Sequence, residues 1–134
     1  MTAAHNHALG RLDTQPAEGL RACATLIRET AQAATPGPWE PSPKAEDAVI
    51  APEAEASWLG AEDWYGGQPV AESLSEADRA HVLAWQPRKV LPVADLLEHT
   101  AALIEANSGR FAGVQSSGMV VLFARAWLTP DGDA

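Results

Sequence analysis

The chain has 134 residues, 46% of them hydrophobic and 20% charged, a length and balance that fit one domain with one core and exclude wholesale disorder despite ten prolines and ten glycines. A single cysteine, Cys23, excludes an internal disulfide, and the longest apolar run, Met119 to Ala124, is far short of the roughly 18 residues a membrane-spanning helix needs. The net charge of −9 is concentrated: between Glu40 and Asp78 stand ten acids against one base, Lys44, while the rest of the chain is neutral, a field that repels phosphate backbones and so disfavours ordinary nucleic-acid binding through lysine and arginine.

Residues 1–13 are polar and alanine-rich, and we read them as a frayed or disordered lead. They hold no apolar core of signal-peptide length, so the cytoplasm is the expected compartment. The pair His5 and His7 has no further ligand at metal spacing, and neither a metal nor a cofactor is expected. From Pro16 the spacing predicts a helix: Leu20, Ala24, Ile27, Ala31 and Ala34 recur every three or four positions, with Arg21, Thr25, Arg28 and Gln32 opposite. Thr14 or Asp13 can cap it, and Cys23 borders its apolar stripe as a small packed residue. "AATPGPWEP" (33–41) then stops the helix and starts a strand. Pro36 biases Thr35 away from helical angles, Gly37 permits a reversal, and Pro38 delivers Trp39 extended, placed to fold back over the helix end.

"PWEP", "DAVIA" (47–51) and "QPVAE" (68–72) are three short strands bounded by proline or glycine, expected to form a small antiparallel sheet. Between the last two lies a long loop with room for one helical turn, the kind of segment that in a small domain is functional or mobile. Ser75 caps a short helix whose inward face is Val82 and Trp85, and Gln86-Pro87 breaks it. A longer helix runs to about Ala106 with the stripe Val90, Ala94, Leu97, Ala101 and Ile104, widened by Leu96 and Leu103; it pairs with the first helix. Pro92 either kinks this helix near its start or marks its true first turn, leaving 87–91 as a linker. Residues 107–118 read as loop. For 119–128 helix is preferred to strand, with Met119, Leu122, Phe123 and Ala126 on one face, and Thr129-Pro130 ends it. The expectation is an α+β fold, a helix pair on about three short strands with a C-terminal helix or strand, in one domain over 14–128 flanked by flexible tails at 1–13 and 129–134.

The carboxylate pairs Glu53/Glu55, Glu62/Asp63 and Glu76/Asp78 are neighbours in sequence, which does not place them across a cleft with separated pKa values, and they read as solvated acidic loops. His81 and His99 have no partner at ligand spacing, and no phosphate loop, GxGxxG, G-x-S-x-G or H-E-x-x-H occurs. No catalytic residues are assigned. Trp58, Trp64 and Tyr65 stand out because they sit in the acidic, glycine-punctuated loop, where no periodic pattern draws them into a core. With Glu53, Glu55, Glu62 and Asp63 they form a candidate contact patch for a protein with a basic surface, the rings supplying area and the acids steering. The competing reading has the tryptophans cap the sheet. A second candidate is a pocket between helices and sheet near Trp39, His81 and Trp85, taking a small molecule or nucleotide or serving an unrecognised enzyme. The alanine-bearing stripes leave a homo-oligomer open.

An alanine-rich helix running into "ATPGPW" (34–39), strands ending in "VAES" (70–73), and then "ADRAHVLAWQPRKVLPVADLL" (77–97) is an order that resembles a group of phage and actinobacterial proteins similar to the Ead-like phage family. The likeness covers about residues 20–106, with "TPGPW" and Trp85-Gln86-Pro87 its most specific parts; Pro92 and the long acidic loop depart from it, and 110–128 lie outside it. It supplies no catalytic residues. It implies an accessory role in a host cytoplasm; taken with the charge distribution, the expectation is a non-enzymatic protein that acts by contact with a host or defence protein through the acidic 40–78 region, one version being imitation of the charge of DNA.

Overall fold

The computed structural model describes residues 2–107 and 117–130. Among them are six helices and a three-stranded antiparallel sheet, an α+β fold: α1 (Ala3–Thr14), α2 (Pro16–Ala33), β1 (Glu40–Pro41), β2 (Val49–Ala51), α3 (Ala61–Tyr65), β3 (Gln68–Ala71), α4 (Glu76–Ala84), α5 (Pro87–Ala106) and α6 (Ser117–Leu128). The chain divides into two compact units, one of Met1–Glu29 with Pro92–Ala134, the other of Thr30–Leu91.

In the first unit the three-and-four spacing of α2 and α5 does what it predicts. Leu20, Ala24 and Ile27 are buried, as are Ala94, Leu97, Ala101 and Ile104, and each large aliphatic side chain so buried contributes roughly 1.5–3 kcal/mol. Cys23 is buried beside them. Arg21 grips Glu105 with both terminal guanidinium nitrogens, while Arg28 reaches Asp95 at 2.7 Å and Glu98. A low number on α2 meets a high number on α5 and the reverse, so the two helices run antiparallel. Of the two readings of Pro92, the helix begins at Pro87 and carries Pro92 inside it, leaving the Arg88 carbonyl without its usual donor four residues on. Leu96 and Leu103 do not widen the buried stripe: both are exposed, because ion pairs hold one flank of α5 to α2 and turn these leucines to the other.

The lead expected over 1–13 is corrected by α1. Thr2 caps it by accepting from the His5 amide at 3.2 Å, and Ala8 and Leu12 are buried. What makes room is Gly19 of α2, where a Cβ would stand 2.5 Å from the Leu12 nitrogen and 2.8 Å from its Cα. Helix α1 also packs on α6: the His5 ring stacks on Trp127 with centroids 5.6 Å apart and planes at 15°, and Arg125 pairs with Asp13. The preference for helix in 119–128 agrees with α6, but its inward face is Ala124 and Leu128, while Met119, Leu122 and Ala126 are exposed and Phe123 only half-buried. The loop expected at 107–118 falls mainly outside the described residues, and its last two positions already belong to α6; of the tail expected at 129–134, residues 131–134 lie outside them too.

In the second unit the sheet order is β1-β2-β3. The central β2 is buried at all three positions, pairing Glu40 with Ile50 and Pro41 with Val49 on one side, and Val49 with Ala71, Ile50 with Pro69 and Ala51 with Gln68 on the other. The register shift leaves Val70 as an extra residue, a bulge in the edge strand. A proline stands in each edge strand, which removes amides that would otherwise template another strand. Ser75 caps α4 by accepting from the Asp78 amide. Trp85 does not form an inward face with Val82; it is 51% exposed. The neighbour that goes in is Gln86, whose side-chain oxygen accepts from the Trp39 amide at 2.7 Å while its amide group donates to the carbonyls of Trp39 (3.2 Å) and Leu83 (3.0 Å). The Trp39 indole N–H in turn reaches back to the Thr35 carbonyl at 2.9 Å, and the Gly37–Pro38 peptide between them is cis.

Candidate functional site: an exposed aromatic and acidic face

The loop between β2 and β3 is long but well anchored. The Ser57 amide donates to the Gln68 side chain at 2.7 Å. Buried Ser42 donates to the Tyr65 carbonyl at 2.5 Å and accepts from the Ala45 amide at 2.9 Å, and Lys44 Nζ donates to the Glu62 carbonyl at 3.0 Å. Both ends of α3 are glycines in the left-handed region, Gly60 at φ 96° and Gly66 at φ 82°, a conformation that a side chain resists. At Gly66 a Cβ would also collide with the Pro43 ring at 2.8 Å. One helical turn is thus set against the strand with Trp64 outward and Tyr65 half-buried.

Two tryptophans and a leucine of this loop are on the surface. Trp58 is 43% exposed, Trp64 72% and Leu59 fully. A Cβ at Gly60 would meet the Trp58 ring at 3.3 Å and the Trp64 ring at 3.7 Å, so the two indoles flank a bare stretch of backbone. Tyr65, half-buried, meets Trp58 edge-on with centroids 6.2 Å apart and planes at 87°, a favourable aromatic arrangement. Its hydroxyl donates to Glu72, and that bond first, then burial and the neighbouring charge, pushes the Tyr65 phenol above its ordinary pKa. Trp58 stands between two shallow cavities. One, of about 350 Å³, is formed with Tyr65, Glu72 and the β3 residues Pro69, Val70 and Ala71; the other, of about 380 Å³, with Leu59, Gly60 and Glu62.

All ten acids from Glu40 to Asp78 are exposed. Of the residues singled out in the sequence, Trp58, Trp64 and Glu62 come together around Gly60, Tyr65 lies against the Trp58 ring, and Asp63 lies exposed on α3 between Glu62 and Trp64. Glu53 and Glu55 are exposed in the segment after β2 and line neither cavity. Glu72 joins the aromatic group without having been singled out; its one signal in the sequence is its place at the end of the strand expected over 68–72, and it stands one residue past the end of β3. Of the other candidate trio, Trp39 precedes β1, His81 lies on α4 and Trp85 stands at its end. Trp39 is half-buried and engaged with Thr35 and Gln86, whereas His81 is exposed and Trp85 half-exposed. A cavity of about 310 Å³ between Ala34 and Pro36 on one side and Pro87, Arg88 and Leu91 on the other is lined by none of these three.

Among the described residues no group of three or more histidines, cysteines or carboxylates could hold a metal ion, and no helix is long and apolar enough to cross a membrane. Comparison with protein-family models, with curated proteins and with solved structures finds no match for the chain.

Proposed function

We propose that the chain is a binding protein that engages a positively charged protein through the acidic segment 40–78, with Trp58, Trp64 and Tyr65 at the centre of the contact and Glu62 and Asp63 on its rim. The observation that carries this reading is the exposure of two tryptophans and a leucine on a pinned loop, inside a segment whose carboxylates all face solvent. Aromatic side chains held rigidly at the surface supply contact area at low entropic cost, and interface hot spots are enriched in tryptophan and tyrosine. A surrounding field of one sign raises the encounter rate with partners of the other. Proteins that ordinarily hold nucleic acid carry the required charge, and on the resemblance to phage proteins the partner belongs to a host cell.

The test is capture of partners from a lysate by the wild-type chain and by the double variant Glu62→Lys with Trp64→Ala, both checked for equal thermal stability. The reading expects a partner with a basic surface, retained by the wild type, released by added salt and lost with the variant. Equal recovery by both proteins would overturn it.

A further inference from the structure

We infer that the cavity bounded by Trp58, Tyr65 and Glu72 beside β3 receives a single cationic side chain, a lysine or arginine of the protein partner. The inference rests on the function proposed above and names what that surface reads. Three features of the cavity converge on this chemistry. Its two rings stand at 87° with centroids 6.2 Å apart, so they present two walls at a right angle, and the face of an indole attracts an ammonium or guanidinium group through its quadrupole. A carboxylate closes the third side, and the Tyr65 hydroxyl fixes Glu72 in place by donating to one of its oxygens, which leaves the other free to accept from the incoming group. The remaining wall is the half-buried Pro69, Val70 and Ala71, apolar surface suited to the methylene stem of a long basic side chain.

The alternatives fit less well. An acidic or phosphorylated group would meet Glu72 and the surrounding carboxylates. A purely apolar side chain would cover the second Glu72 oxygen, the one the Tyr65 hydroxyl does not reach, without offering it a donor or a charge, which is costly. An added strand finds a poor template, because Pro69 has no amide hydrogen and Val70 bulges out of register. A volume of about 350 Å³ is at the low end for ligand pockets, which suits one side chain rather than a whole cofactor.

The experiment uses the full chain with its tryptophan indoles labelled with nitrogen-15, the Trp58 signal being assigned from the Trp58→Phe variant. It is titrated with a short glycine-flanked peptide containing one lysine, the same peptide with arginine, and the same peptide with norleucine, which keeps the stem and removes the charge. The expected result is a saturable shift of the Trp58 indole signal with the lysine and arginine peptides, weakened roughly three- to tenfold by Glu72→Gln and by high salt. In that variant the side-chain amide oxygen still accepts from the Tyr65 hydroxyl, so a structural collapse is not the cause. No Trp58 shift with either cationic peptide, or an equal one with norleucine, would overturn the inference. Partner capture separates it from the broader reading. If Glu72→Gln leaves capture intact while Glu62→Lys with Trp64→Ala abolishes it, the pocket fails and the surface stands. If neither variant affects capture, the surface fails and the peptide titration alone decides the pocket.

Discussion

Replacing Gln86 by methionine keeps the length and apolar stem of the side chain and deletes all three of its hydrogen bonds, to the amide and carbonyl of Trp39 and to the carbonyl of Leu83. At a net contribution of about 0.5–1.5 kcal/mol each the loss is of the order of 3 kcal/mol. The largest share falls on the Trp39 amide, whose contact with the Gln86 oxygen, at 2.7 Å, is the shortest of the three. Gln86 is only 5% exposed, so water replaces these bonds poorly, and a buried donor left unpaired costs about 1–3 kcal/mol by itself. For a chain of this size each kcal/mol shifts Tm by roughly 3–5 °C, so Gln86→Met is expected to melt about 10 °C below wild type in differential scanning calorimetry. Hydrogen exchange should show the Trp39 amide losing protection. Gln86→Glu sharpens the test, because its carboxylate still accepts from Trp39 but, once ionised, turns an acceptor toward two carbonyls; it should be more destabilised at pH 8 than at pH 4. A Gln86→Met protein within about 0.5 kcal/mol of wild type would refute the claim that this side chain clamps the segment after Pro38 to the end of α4.

Gly19→Ala sets two effects against each other: alanine gains up to about 1 kcal/mol as a helix former, but its Cβ would sit 2.5 Å from the Leu12 backbone nitrogen. The collision is with backbone and should win, seen as lower stability and faster hydrogen exchange throughout α1; a stabilised variant would show that the two helices do not meet at Gly19. Burial pushes the Cys23 thiol up to about 12, so native protein should resist iodoacetamide at pH 8 and react once unfolded in urea, whereas labelling at the rate of a free thiol would contradict its burial. Arg28 and Arg21 hold Glu98 and Glu105 below the ordinary glutamate value of 4.5. A folded pKa below the unfolded one gives stability that is complete above the unfolded value and is lost as the pH falls through the folded one. The double variant Glu98→Gln with Glu105→Gln should therefore be less stable at pH 7 and lose less on acidification below pH 4.5, as read from urea midpoints; an unchanged acid slope would count against the pairing.

What could be read from the residues alone was whatever a strong period or a special side chain dictates. The spacing in α2 and α5 located the buried faces, proline and glycine bracketed the three strands, and Ser75 marked the start of α4. The misses have one common cause, that a tertiary neighbour decided. Helix α1 buries only Ala8 and Leu12, too narrow a face to announce itself, and depends on a glycine in the next helix and a tryptophan far along the chain. Helix α6 is apolar almost all the way round, so its pattern carries no phase, and packing against α1 accompanies the choice of Ala124 and Leu128. At the junction of α4 and α5 the residue types favour burial of the tryptophan, yet Gln86 goes in because the backbone groups of Trp39 and Leu83 together offer it three bonds. The same limit applies to the candidate site. Trp58, Trp64 and Tyr65 were legible because nothing periodic claimed them, whereas Glu72 became significant only when the strand brought it under the Tyr65 hydroxyl.

The measurement closest to the central claim is photo-crosslinking in cells with a benzophenone amino acid placed at Trp64 and, as a comparison in the other unit, at Met119, both strongly exposed positions. The expected result is a protein adduct at position 64 whose crosslinked peptide is rich in lysine and arginine, and which disappears when Glu62 and Asp63 are both changed to lysine. Adducts formed only at position 119, or a position 64 adduct indifferent to that charge reversal, would contradict it.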